Sequence, residues 1–95
     1  MSSIRLMLVD DHDIVRAGLR MLLGAQSDME IVAEAGSGAD AIALAQANCP
    51  DVILMDVNMP DMNGIETTAI INSVCPNTKI LALTIHEEEE YFFNW

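Results

Sequence analysis

An α/β fold built on a parallel sheet is the class that this 95-residue sequence predicts. Four short runs rich in Ile, Val and Leu predict it first: Ile4 to Val9, Ile31 to Ala35, Val52 to Met55 and Ile80 to Leu83. Segments of helical period separate the runs, so the order reads β-α-β-α-β-α-β. The runs are also nearly continuous in apolar residues, as strands covered on both faces are.

Each helix carries its own start and stop. In the first, Val15, Leu19, Leu22 and Leu23 are spaced to make one inward-facing apolar stripe, and Gly24 is placed to end it. Ser37 is the expected cap of the second helix, with Asp40 three residues on and Cys49-Pro50 closing it. Asn63 is the expected cap of the third, with Glu66 three residues on, Ile65, Ala69 and Ile70 expected to face inward, and Cys75-Pro76 as the stop. After the fourth strand, Glu87 to Glu90 suit the first turn of another helix, where the dipole favours negative charge. All four aromatic residues (Tyr91, Phe92, Phe93 and Trp95) follow this run. No internal repeat, linker or second domain is visible in residues 1–95.

Hydrophobic residues make up 52% of the chain and charged ones 20%, which is too apolar for a disordered segment. Fifteen acidic residues against four basic ones give a net charge of -11, so a nucleic-acid backbone is repelled and direct binding by this segment is not expected. The apolar runs are too short to cross a membrane and the N-terminus lacks the pattern of a signal peptide, so a cytoplasmic location is expected. Cys49 and Cys75 fit neither a zinc ligand pair nor a redox CxxC, and both are expected to be reduced thiols at helix ends.

The chemistry gathers at the carboxyl ends of the strands, which in a doubly wound sheet all open on one edge. Asp10 and Asp11 follow the first strand and Asp56 follows the third. With those strands adjacent, the three acids converge and repel one another unless a cation relieves them. Hard oxygen ligands, few in number, describe a magnesium site. A carboxylate beside such an ion suits phosphoryl transfer, and Asp56, alone at its strand end, is the candidate nucleophile. Thr84 ends the fourth strand on the same edge, where its hydroxyl can donate to a phosphoryl oxygen.

Three separated stretches carry a family resemblance: Leu8-Val9-Asp10-Asp11-His12-Asp13-Ile14-Val15-Arg16-Ala17-Gly18-Leu19, Asp51 to Glu66 around Met55-Asp56-Val57-Asn58-Met59-Pro60, and Leu81-Ala82-Leu83-Thr84. Together they resemble the receiver domain of two-component response regulators, and the opening stretch is most similar to the NarL/FixJ (LuxR-type) transcription-factor branch. The resemblance implies a flavodoxin-like (CheY-like) doubly wound sheet with strand order 2-1-3-4 here and a fifth strand in the family. It implies that Asp56 takes a phosphoryl group from a sensor histidine kinase, in a signalling domain rather than an enzyme, with small phosphodonors also able to label it. It further implies that Asp11, Asp56 and the main-chain carbonyl of Asn58 bind Mg2+ while Asp10 orients a metal-bound water, that Thr84 is the switch hydroxyl, and that Asn58 and His86 tune dephosphorylation. Met59-Pro60 and Gly64 match the turn between the acceptor and the third helix.

Family members continue to a fifth strand ending in a lysine and to a fifth helix. Residues 1–95 are therefore expected to form a receiver domain incomplete at its C-terminus, without an output domain. Lys79, at the start of the fourth strand, is expected at the edge away from the acids and cannot replace the family's lysine. The fourth strand, Ile80 to Ile85, is expected to be an unpaired edge through which the chain self-associates. Three other readings compete. Asp11-His12-Asp13-Ile14-Val15 fits the DxDxV pattern of haloacid-dehalogenase-like phosphatases. Gly36-Ser37-Gly38-Ala39-Asp40-Ala41 is a short match to a dinucleotide fingerprint. A receiver remnant acting as a non-phosphorylated interaction module is the third.

Overall fold

A computed structural model describes residues 3–56, 59 and 63–83. The elements run β1 (Ile4–Val9), α1 (Asp13–Gly24), β2 (Met29–Ala35), α2 (Gly38–Ala47), β3 (Val52–Asp56), α3 (Gly64–Val74) and β4 (Lys79–Leu83). The four strands form one sheet in the order β2-β1-β3-β4, with every neighbouring pair parallel. This is the order expected from the sequence.

Both predicted polar caps form. The Ser37 hydroxyl accepts the Asp40 backbone N–H at 3.1 Å and the Asn63 side-chain oxygen accepts that of Glu66 at 3.0 Å, each satisfying a donor that a helix start leaves without an intrahelical partner. The α1 helix ends at Gly24 as expected, but no described glycine has a positive φ. The turn closes instead through the Gln26 N–H on the Leu23 carbonyl, at 3.1 Å.

The sheet register builds the core. Met7 pairs with Ile53 and Ile53 with Ile80, while Val9 pairs with Met55, so these side chains share one face. Between β1 and β2 the register slips after Leu6: Leu6 faces Ile31 and Met7 faces Ala33. The extra residue, Val32, lets Ala33 and Ala35 join the face of Met7 and Val9. Against that face lie Ala41 and Ala45 of α2, Ile71 of α3, Cys75 and Met59. Leu6 and Leu8 alternate to the opposite face and are also buried.

Three expectations are corrected. In α1, Val15, Leu19 and Leu23 are half-buried, but Leu22 is 70% exposed. The helix is rolled so that Arg16 rather than Leu22 turns inward, because Arg16 bonds the Asp10 carbonyl and Asp13 and approaches Glu34 at 3.4 Å, while Arg20 grips Glu34 at 2.7 Å. In α3 the inward line is Thr67, Ile71 and Cys75, whereas Ile65 is 87% exposed and Ala69 and Ile70 also face outward. Hydrophobicity alone misplaced this face by counting Thr67 as polar and Ile65 as core.

The third correction concerns the cysteines, expected as reduced thiols. Cys49 and Cys75 form a disulfide, with Cα atoms 5.6 Å apart. They meet because α2 and α3 lie side by side on one face of the sheet and both end at the edge where the strands begin. A spacing of 26 residues along the chain hides this contact from any local reading.

Candidate functional site

The β1 and β3 strands are neighbours in parallel, with Val9 beside Met55 at their carboxyl ends. Asp10, the residue after β1, and Asp56, the last of β3, therefore emerge together. Both are almost fully buried, while Asp11 is exposed. One ligand atom from each of Asp10, Asp11, His12 and Asp56 falls within 4.8 Å of the others. The three predicted acids thus converge as expected, and they bring a fourth group with them.

That fourth group is His12, which the sequence marks only as the residue after the acid pair. It stands at the N-cap position of α1, and its backbone N–H donates to Asp10 Oδ1 at 2.7 Å, fixing the turn out of β1. Its ring Nδ1 lies 2.9 Å from Asp10 Oδ1, 3.0 Å from Asp11 Oδ1 and 3.9 Å from Asp56 Oδ2. The hydrogen bond to Asp10 and the charge of Asp11 hold the His12 pKa above its ordinary value, with smaller help from Asp56 against a desolvation effect that lowers it. The only available signal was adjacency, since His12 directly follows the acid pair.

Because the folded-state pKa of His12 is raised, its interaction with the acids favours the folded state fully below the unfolded value of about 6.5. The contribution is lost as pH rises through the higher folded value. In a histidine-resolved NMR titration the His12 ring is expected to titrate above the ordinary range, and Asp10→Asn to bring it down. An unchanged His12 titration in that variant would show that Asp10 is not the main partner.

The donor set fits a hard divalent cation. Carboxylate oxygens from three residues lie within 4.8 Å of one another, and a cluster of hard oxygen donors suits magnesium, which takes oxygen ligands and keeps part of its water shell. The imidazole nitrogen does not suit that ion and acts here as a charge partner of the acids.

The other site expectations divide. Asn58, Pro60, Thr84 and His86 lie outside the described residues. Met59 is buried in the core and Gly64 opens α3. Lys79 begins β4 beside Val52, at the opposite edge from the acids, as expected. Asp13, needed by the phosphatase reading, is outside the cluster; it is exposed and pairs with Arg16 at 2.6 Å. The small residues of the dinucleotide match serve packing. Gly38, Ala41 and Ala45 are the buried residues of α2, and a Cβ at Gly36 would meet Arg16 Nη1 at 3.2 Å.

Known proteins share this fold and much of this sequence. The family model described as "Response regulator receiver domain" matches residues 6–94. The chain is 53% identical over 90 residues to the uncharacterized transcriptional regulatory protein YxjL of Bacillus subtilis (strain 168), covering 95% of this chain and 41% of that protein. It is 46% identical over 91 residues to the response regulator protein VraR of Staphylococcus aureus, covering 94% and 44%. Among solved structures, the signal receiver domain of the putative response regulator NarL from Mycobacterium tuberculosis is similar with a TM-score of 0.81 at 32% identity, covering 98% of this chain and 75% of that one. A LuxR-family two-component response regulator from Aurantimonas sp. SI85-9A1 also gives 0.81, at 37% identity, covering 97% and 66%. The chain spans about two fifths of the length of these curated relatives.

Proposed function

The chain belongs to the family of response regulator receiver domains, and from that premise we propose that it accepts a phosphoryl group on Asp56 from a sensor histidine kinase in a magnesium-dependent reaction, and so regulates an output that includes transcription. The observation that carries this reading is the convergence of Asp10, Asp11 and Asp56 at one point of the sheet edge. A carboxylate oxygen of Asp56 attacks phosphorus, the bond from phosphorus to the donor imidazole nitrogen breaks with its electron pair going to nitrogen, and an acyl phosphate results. Asp10, Asp11 and Asp56, with the main-chain carbonyl of Asn58, would hold magnesium. When bound, it supplies neutralisation of the phosphoryl oxygens. Thr84 is the proposed switch hydroxyl, donating to the phosphoryl group once it is on Asp56.

Intact mass after incubation with acetyl phosphate and magnesium tests the reading. One phosphoryl adduct is expected, dependent on the metal; an unmodified chain under conditions that label other receivers would overturn it.

No described helix is long and apolar enough to cross a membrane, and the acidic composition opposes direct nucleic-acid contact; since the chain is a member of the receiver family, we place it in the cytoplasm, without a membrane partner. Self-association through the β4 edge is also proposed. Among the described residues β4 is the end strand of the sheet, and its Leu81 is 54% exposed. Size-exclusion chromatography at micromolar concentration is expected to show dimers or larger species, and a single sharp monomer peak would count against it.

A further inference from the structure

We propose that Cys49 and Cys75 form a reversible thiol–disulfide site, closed by a hydroperoxide and opened by a small thiol, that staples α2 to α3 at the sheet edge away from the acids. The placement comes from the fold. In a parallel sheet the following helices run back, so α2 and α3 both end where the strands begin. Cys75 is the C-cap residue of α3 and Cys49 directly follows Asn48, the C-cap residue of α2.

Both redox states find partners in place. Each sulfur sits over the last turn of the opposite helix: Cys75 Sγ is 3.3 Å from the Ala45 carbonyl and Cys49 Sγ is 3.6 Å from the Val74 carbonyl. Carbonyls in a last helical turn lack intrahelical donors, so on reduction each new S–H has an acceptor without movement of the backbone. The pair is also asymmetric. Cys75 is 1% exposed while Cys49 is exposed, and Arg5 Nη1 donates to the Cys49 carbonyl at 2.8 Å, setting a permanent positive charge beside the accessible half.

Opening begins when a thiolate attacks Cys49 Sγ. The bond between the two sulfurs breaks, its electron pair leaves on Cys75, and that sulfur takes a proton from water. A second thiol then attacks the mixed disulfide, freeing Cys49 and leaving the small molecule oxidised. Closing runs the other way: the Cys49 thiolate attacks the terminal oxygen of a hydroperoxide, and the O–O bond breaks with its electron pair leaving on the other oxygen, which takes a proton to become an alcohol or water. The resulting Cys49 sulfenic acid is attacked at sulfur by Cys75, which displaces its oxygen as water and forms the disulfide. That the bond cycles rather than persists rests on the cytoplasmic placement proposed above, since disulfides in reducing compartments are mostly transient or redox-sensing.

The test cycles the purified chain through reduced glutathione and then hydrogen peroxide without denaturant, removes the reagent at each stage, and then alkylates with N-ethylmaleimide in guanidinium chloride before reading intact mass. Two adducts are expected after glutathione, none after peroxide, and the same pattern in a second cycle. The melting temperature should fall by roughly 14–28 °C on reduction and return on oxidation. In Cys49→Ser the remaining Cys75 should alkylate only slowly while the chain stays folded. A bond that glutathione opens only in denaturant, or thiols that peroxide takes to sulfinic acid without closure, would overturn the proposal. If Cys49→Ser does not fold, the wild-type cycle decides alone. Asp56 labelling by acetyl phosphate should appear in both redox states, so its loss would count against the receiver reading and not against this site.

Discussion

Asp56→Asn is expected to abolish the phosphoryl adduct formed with acetyl phosphate and magnesium, with no adduct moving to another residue. The substitution keeps the shape of the side chain at the end of β3, where Asp56 is 2% exposed, so it removes the chemistry without opening a cavity. An amide is neutral and lacks the carboxylate oxygen that attacks phosphorus. Asp10→Asn and Asp11→Asn should act differently. Each leaves the nucleophile intact and weakens the group of acids around it, so labelling should persist while the magnesium needed for half-maximal rate rises by roughly 10–100-fold. Intact mass against time, at several magnesium concentrations, separates the two outcomes. Labelling of Asp56→Asn at the wild-type rate would remove Asp56 from the acceptor role.

Ile71→Ala is expected to destabilise the chain by about 3 kcal/mol, and Ile65→Ala by less than about 0.5 kcal/mol, in urea unfolding monitored by circular dichroism. Ile71 is fully buried against β-strand residues of the core, and its truncation leaves a void that a small domain relaxes into only partly. Ile65 lies almost two turns earlier on the same helix and is 87% exposed. For a chain of this size a 3 kcal/mol loss lowers the melting temperature by roughly 12–24 °C. Equal losses in the two variants would mean that α3 sits on the sheet at a different roll angle.

That pair of residues shows where sequence pattern stops being informative. The existence of α3, its cap at Asn63 and its end near Cys75 were legible, because capping and helix stops depend on residues within three or four positions. Its inward face was not. Ile65, Ala69 and Ile70 outweigh Thr67 on any hydrophobicity count, yet Thr67 and Ile71 face the sheet. In α1 the same count put Leu22 inward, while ion pairs from Arg16 and Arg20 to Glu34 roll the helix away from it.

Element order, the parallel sheet and the three acids at its carboxyl edge are all legible in the chain, since apolar runs, turn residues and strand ends are local signals and parallel βαβ connectivity allows few arrangements. Tertiary structure alone decided which face each helix buries, that His12 reaches back among the acids, and that Cys49 and Cys75 meet. Those three outcomes depend on distances between elements far apart in the chain, and packing rather than local pattern sets such distances.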